Sequence, residues 1–178
     1  MATERDRMRK DMAARASDAG PLTRRLHALA VFLPHFERPD FALGEWVRQE
    51  GKPDWYRLSR IGRDFLEYCY DNGWIQGFDW AQWGRAPEGR RLTTDREALA
   101  GASPMELSRL LTSLVRQDRL AEGALDGAYG SGLLTAIVRR AAALAAAPPA
   151  ESAETDWITW WGMSHQEQRE KDAAFKQE

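Results

Sequence analysis

Along most of the chain apolar residues recur three and four positions apart, the period that lines one face of a helix. Leu22, Leu26, Leu29, Ala30 and Leu33 come after Gly20 and Pro21 in this way and predict a first helix from 21 to about 33. Pro34 and Pro39 punctuate the next stretch, because each ring removes an amide donor and restricts the residue before it. Residues 41–58 lose the helical period. Gly44, Gly51 and Pro53 interrupt aromatic and β-branched residues there, and two short segments, 44–48 and 55–58, can pair as a small hairpin covered by a helix.

Downstream the helical pattern returns with clear punctuation. Ser59 is placed to cap a helix carrying Ile61, Phe65, Tyr68 and Cys69, and Asn72 with Gly73 supplies its left-handed stop. Asp79 can cap a short helix on which Trp80 and Trp83, three apart, face the same way. The polar run 84–95 reads as a loop. Ser103, Pro104 and Glu106 form a capping box ahead of the apolar face Leu107, Leu110, Leu111, Leu114 and Val115. Next come a short helix around 121–129 and a last helix carrying Leu133, Leu134, Ile137, Val138, Ala141 and Leu144, ended by Pro148 and Pro149. No internal repeat is visible. The expected fold is a compact single-domain helical bundle, all-α or nearly so, with a small hairpin or extended insertion.

The expected organisation is a charged arm at 1–20, a helical domain at 21–147, a linker at 148–156 and a Trp-bearing arm at 157–178. Ser164 and Glu167 give that last arm a second capping box, opening a polar helix to about Gln177. Composition sharpens the division. The net charge of −2 over 178 residues removes the broad basic footprint of a non-specific nucleic-acid binder. It splits into +1 on residues 1–20, +1 on 21–150 and −4 on 151–178. There is no apolar run long enough to span a membrane, nor the apolar core of a secretion signal at the start, so a cytoplasmic protein without membrane contact is expected.

The segments GEW (44–46), WYRLS (55–59), YDNGWIQGFDWAQW (70–83), LSRLLTSLVRQDRLAEGAL (107–125) and SGLLTAIVRR (131–140) occur in an order and spacing that resemble an uncharacterised bacterial family, the domain of unknown function numbered 6508. The resemblance covers about residues 22–146. It implies a compact, mostly helical bacterial domain, and it names no catalytic residue and no ligand.

Motifs for chemistry are sparse. His27, His35 and His165 lack metal-ligand spacing, although His35, Glu37 and Asp40 could form an O/N cluster on a loop. No phosphate-binding glycine loop and no nucleophile elbow is present, and Cys69 lies within an apolar helix pattern without a histidine nearby in sequence, so no cofactor, metal or catalytic residue is expected. The run Arg116, Asp118, Arg119 reads as an ion-pair network at a helix corner, with Asp118 holding two guanidinium groups, or alternatively as an anion site.

Tryptophan stands out, with eight residues in two clusters. Trp46, Trp55, Trp74, Trp80 and Trp83 lie inside the domain, whereas Trp157, Trp160 and Trp161 lie beyond the linker and need a surface to cover them. The leading expectation is a non-enzymatic, regulatory interaction protein of a bacterium or its mobile elements, docking on a protein partner or on itself. Trp157, Trp160 and Trp161 would be the anchors and the Trp46, Trp55, Trp80 surface the receiver. A first alternative is a helix-turn-helix-like nucleic-acid regulator that contacts phosphates through Arg139 and Arg140 and whose reading positions, 132–136, hold one hydrogen-bonding side chain. A second is an enzyme with a non-standard site around Asp79, Arg116, Asp118 and Arg119.

Overall fold

In the computed structural model of the protein, residues 21–147 are described. The charged arm, the linker, the second capping box and the tryptophans at 157, 160 and 161 lie outside the described residues. The elements run α1 (Pro21–Ala30), α2 (Leu33–Phe36), β1 (Gly44–Val47), β2 (Trp55–Leu58), α3 (Arg60–Asp71), α4 (Trp80–Arg85), α5 (Pro87–Thr94), α6 (Arg96–Ala100), α7 (Pro104–Leu120), α8 (Ala124–Gly130) and α9 (Leu133–Ala146). The fold is therefore mostly α, with one antiparallel two-stranded sheet among the described residues.

Side-chain caps set several helix starts. Ser59 Oγ accepts from the Gly62 amide at 3.1 Å, and Ser103 and Glu106 make the reciprocal capping box at 3.3 and 2.8 Å. Two boundaries differ from expectation. The first helix ends at Ala30 rather than near 33, because Pro34 cannot donate to the Ala30 carbonyl and instead opens the separate turn α2. The run 84–95 is not a loop: residues 87–94 form α5, and α6 begins at Arg96. Pro87 sits in the first turn of α5, where no amide donor is needed, and Leu92 is wholly buried. The Thr93 and Thr94 hydroxyls donate back to the Arg90 carbonyl at 2.9 and 2.8 Å, so they are satisfied within the helix. Glu88 and Arg91 pair with Arg109 and Glu106 of α7 at 3.2 and 2.9 Å. Burial and cross-helix pairing override a weak local propensity.

α1 packs along α9, burying Leu22, Leu26 and Leu29 together with Leu134, Ile137, Val138 and Ala141 in the main core cluster. Phe32, fully buried beneath them, meets Phe65 and Tyr68 of α3 edge-on at 5.3 and 5.4 Å between ring centroids.

Trp74 ties three helices together. The left-handed Gly73 (φ 69°) turns the chain after α3, and the Trp74 amide donates to the Cys69 carbonyl at 2.8 Å. The buried indole donates to the Arg25 carbonyl of α1 at 3.3 Å. Its own carbonyl accepts from the Ser108 and Thr112 hydroxyls of α7 at 2.7 and 3.2 Å, and Thr112 Oγ1 also accepts from the Gln76 amide at 3.0 Å. Both hydroxyl residues are 0 % exposed, so the three bonds that their hydroxyls make are formed without competing water.

Thr112→Val keeps the shape of the side chain but strands the Gln76 amide. It is expected to lower stability by about 1–3 kcal/mol, read as a lower urea midpoint at unchanged slope. A shift within about 0.5 kcal/mol, as at an ordinary surface site, contradicts the role assigned to this turn.

Candidate functional site

The hairpin is seated on the corner between α7 and α8. Its register pairs Glu45 with Arg57, Trp46 with Tyr56 and Val47 with Trp55. Because successive strand residues point to opposite faces, Trp46 and Trp55 project from opposite sides of the hairpin. Trp46 leans on Tyr56 with centroids 5.5 Å apart and reaches Gly123, where a Cβ would lie 2.7 Å from its ring and the backbone is left-handed (φ 86°). Glycine serves both needs there.

Carboxylates hold the strand down. The Tyr56 hydroxyl donates to Asp126 at 2.6 Å, the Tyr56 amide donates to Glu122 at 2.9 Å, and Asp118 accepts from the Leu125 amide at 2.8 Å, fixing the first turn of α8. Burial, together with the Asp126 and Asp118 carboxylates, pushes the Tyr56 phenol well above its ordinary value. The phenol is thus kept as a protonated donor. Sequence reasoning missed this cluster, since Tyr56 lies 66 and 70 residues from its acceptors.

Trp80 and Trp83 share one face, as expected, and that face forms a wall of a groove between α4 and α7. The groove, of about 540 Å³, is lined by Trp80, Trp83, Leu110, Leu114 and Leu120, with Arg85 and Gln117 among its polar lining residues. Trp83 is buried and its indole N–H has no acceptor among the described residues. Leu120, the last residue of α7, is 79 % exposed, more than any other large hydrophobic residue described. The residues expected to form one receiving surface are thus divided: Trp46 sits at the α7–α8 corner, Trp55 on the opposite hairpin face and Trp80 in this groove.

A second groove, of about 490 Å³, runs between α6 and α9. Leu99, Ala100, Ala136 and Ala143 give it an apolar floor, and Arg96, Arg139 and Arg140 stand along it. Arg139 pairs with Glu37 at 2.8 Å, Arg140 Nε donates to the Ala102 carbonyl at 2.8 Å, and Arg96 donates to the Ser131 carbonyl at 2.7 Å. The three arginines are therefore held in place by groups beside the groove, while Arg139 remains 59 % exposed.

The remaining candidates are dispersed. Asp79 caps α4 by accepting from the Gln82 amide at 2.9 Å, and among the described residues no ion pair joins Arg116 or Arg119 to Asp118. The expected fork at this corner is replaced by the Asp118 bond to the Leu125 amide. Asp40 is taken by Arg38, whose hydrogen bond holds its carboxyl below the usual range, and Glu37 by Arg139, so both carboxylates of the expected loop cluster have other partners. Cys69 is wholly buried and burial pushes its thiol up, which leaves little nucleophilic thiolate. Among the described residues no helix is long and apolar enough to cross a membrane.

A family model described as a family of unknown function, DUF6508, matches residues 21–147. The chain belongs to this family. No curated protein and no solved structure matches it. The DUF6508 match ends with α9, so both grooves and the hairpin corner lie inside the family domain and the three distal tryptophans lie outside it.

Tyr56, Tyr129 and Cys69 of the DUF6508 domain all hold their protons more tightly folded than unfolded. Above about pH 8.5–10 the unfolded chain releases these protons first, so the stabilisation present below that range is lost as pH rises. The urea midpoint is expected to fall through this window, and Tyr56→Phe is expected to show a shallower fall beyond about pH 10. An equal fall in both proteins would remove Tyr56 from the account.

Proposed function

We propose that the protein is a non-enzymatic regulatory module of the bacterial or mobile-element cytoplasm that binds a protein partner, or a further copy of itself, through the α4–α7 groove. The observation that carries this reading is Leu120, 79 % exposed, at a groove whose wall is built from Trp80 and Trp83. An apolar trough with an exposed leucine and flanking indoles suits an amphipathic helix that inserts apolar anchors. The volume of about 540 Å³ lies within the range of preformed binding sites, about 300–1,000 Å³. Polar side chains elsewhere support the same reading. Asp79, Asp118, Asp126 and Glu122 accept hydrogen bonds from backbone amides or the Tyr56 phenol, which gives each of them a part in holding the fold.

The nucleic-acid alternative has less support. Arg139 is bound to Glu37, and Leu133 and Leu134, at the end of α9 where base-reading side chains would stand, are buried.

Leu120→Glu places a charge in the groove without touching the core. Sedimentation of the full chain and capture of its partner are both to be measured. The variant is expected to weaken whichever association the wild type shows by about tenfold or more, with an unchanged thermal melt, as for loss of an interface anchor. Association that survives the substitution in both measurements would overturn the proposal.

A further inference from the structure

The α6–α9 groove differs in kind from the α4–α7 groove. Its floor is apolar and built from small side chains, Ala100, Ala136 and Ala143, over Leu99. Its flanks carry three guanidinium groups, of which Arg139 is paired with Glu37 beside the groove, and no carboxylate is among its lining residues. Arg96 and Arg140 are anchored by the Ser131 and Ala102 carbonyls, which orients them while leaving other N–H donors unused. Such a trough selects an occupant that is aromatic and acidic at once.

The chain itself supplies one. Residues 148–163 contain Trp157, Trp160 and Trp161 with Glu151, Glu154 and Asp156 and no basic residue. The three indoles are spaced three and one apart, and the carboxylates precede them. Reach is ample. α9 ends at Ala146 and itself forms one side of the groove from Gly132 to Ala143, a length of roughly 16 Å at 1.5 Å per residue. The ten positions from Ala147 to Trp157 span up to about 33 Å. Pro148 and Pro149, directly after α9, prevent the helix from continuing away from its own groove.

We infer that residues 151–163 of this chain dock in cis on the α6–α9 groove, the indoles of Trp157, Trp160 and Trp161 covering the alanine floor and the carboxylates of Glu151, Glu154 and Asp156 facing Arg96 and Arg140, whose charges no carboxylate among the described residues neutralises. Tethering makes the contact intramolecular, so it forms at a high effective concentration without a large interface. The inference goes beyond the α4–α7 proposal and concerns a different surface and a different occupant.

Chemical cross-linking of the full chain tests it. Ala143→Cys in the groove is combined with Thr159→Cys between the tryptophans, and a short bismaleimide is added; native Cys69 is fully buried and stays out of the reaction. Gln49→Cys in the hairpin loop with the same Thr159→Cys serves as the reference pair. The expected result is a product within one chain that forms about tenfold or more faster than in the reference pair, because both pairs share the tether but only docking holds Thr159 beside Ala143. High salt, and Glu151→Gln, Glu154→Gln and Asp156→Asn together, slow it. Replacing Trp157, Trp160 and Trp161 by Ala returns it to the reference rate; all six of these positions lie outside the family domain. Equal rates for the two pairs, a product that joins two chains, or indifference to the tryptophan substitutions would each overturn the inference. If cross-linking fails while Leu120→Glu still abolishes association, the docked arm falls alone; if cross-linking succeeds while Leu120→Glu is inert, the α4–α7 proposal falls alone.

Discussion

The turn at Trp74 is the constraint on which the rest of the structure depends. One residue offers an amide, a carbonyl and an indole N–H, and each is spent on a different helix: Cys69 of α3, Ser108 and Thr112 of α7, and Arg25 of α1. A buried backbone carbonyl cannot be left without donors, so α7 has to present its two hydroxyls here, one turn apart. That fixes how α7 lies against α1 and α3. With α1 held in this way, α9 packs along it, and the places of α4, α5 and α8 are set by their contacts with α7.

From that frame come two grooves of opposite character. The one between α4 and α7 is aromatic and open at Leu120. The one between α6 and α9 is lined by small residues and flanked by arginine. The acidic residues described are mostly occupied with holding the fold: Asp126 and Glu122 clamp the hairpin, Asp118 starts α8, Asp79 caps α4 and Glu37 holds Arg139. Neither groove has a carboxylate among its lining residues. An acidic, Trp-bearing arm beyond α9 complements the second of them.

Local signals were legible where local physics decides the outcome. Ser59, Asp79 and the Ser103–Glu106 box all cap the helices that their spacing predicts, and Gly73 turns the chain left-handed after α3. The helix at 87–94 was hidden because its only strongly apolar residue is Leu92, and both the burial of Leu92 and the pairing of Glu88 and Arg91 with α7 are contacts that no window of sequence contains. Strand alternation separates Trp46 from Trp55, yet the register that shows it needs the pairing with Tyr56. Asp118 sits between two arginines in sequence, but the amide of Leu125 is nearer in space, and a charged acceptor at the first turn of a helix is a favourable arrangement. The carboxylates around Tyr56 lie too far away in sequence for any spacing rule to find.

Docking of the C-terminal arm on its own domain would take the arm's tryptophans out of solvent. It is tested most directly by fluorine NMR of the full chain labelled with 5-fluorotryptophan in the presence of a soluble paramagnetic chelate. Trp74, fully buried, and Trp46 and Trp55, 48 % and 37 % exposed, set the two ends of the scale. With the arm docked, Trp157, Trp160 and Trp161 are expected to broaden little, close to Trp74. Broadening of all three to the extent of Trp46 would contradict it.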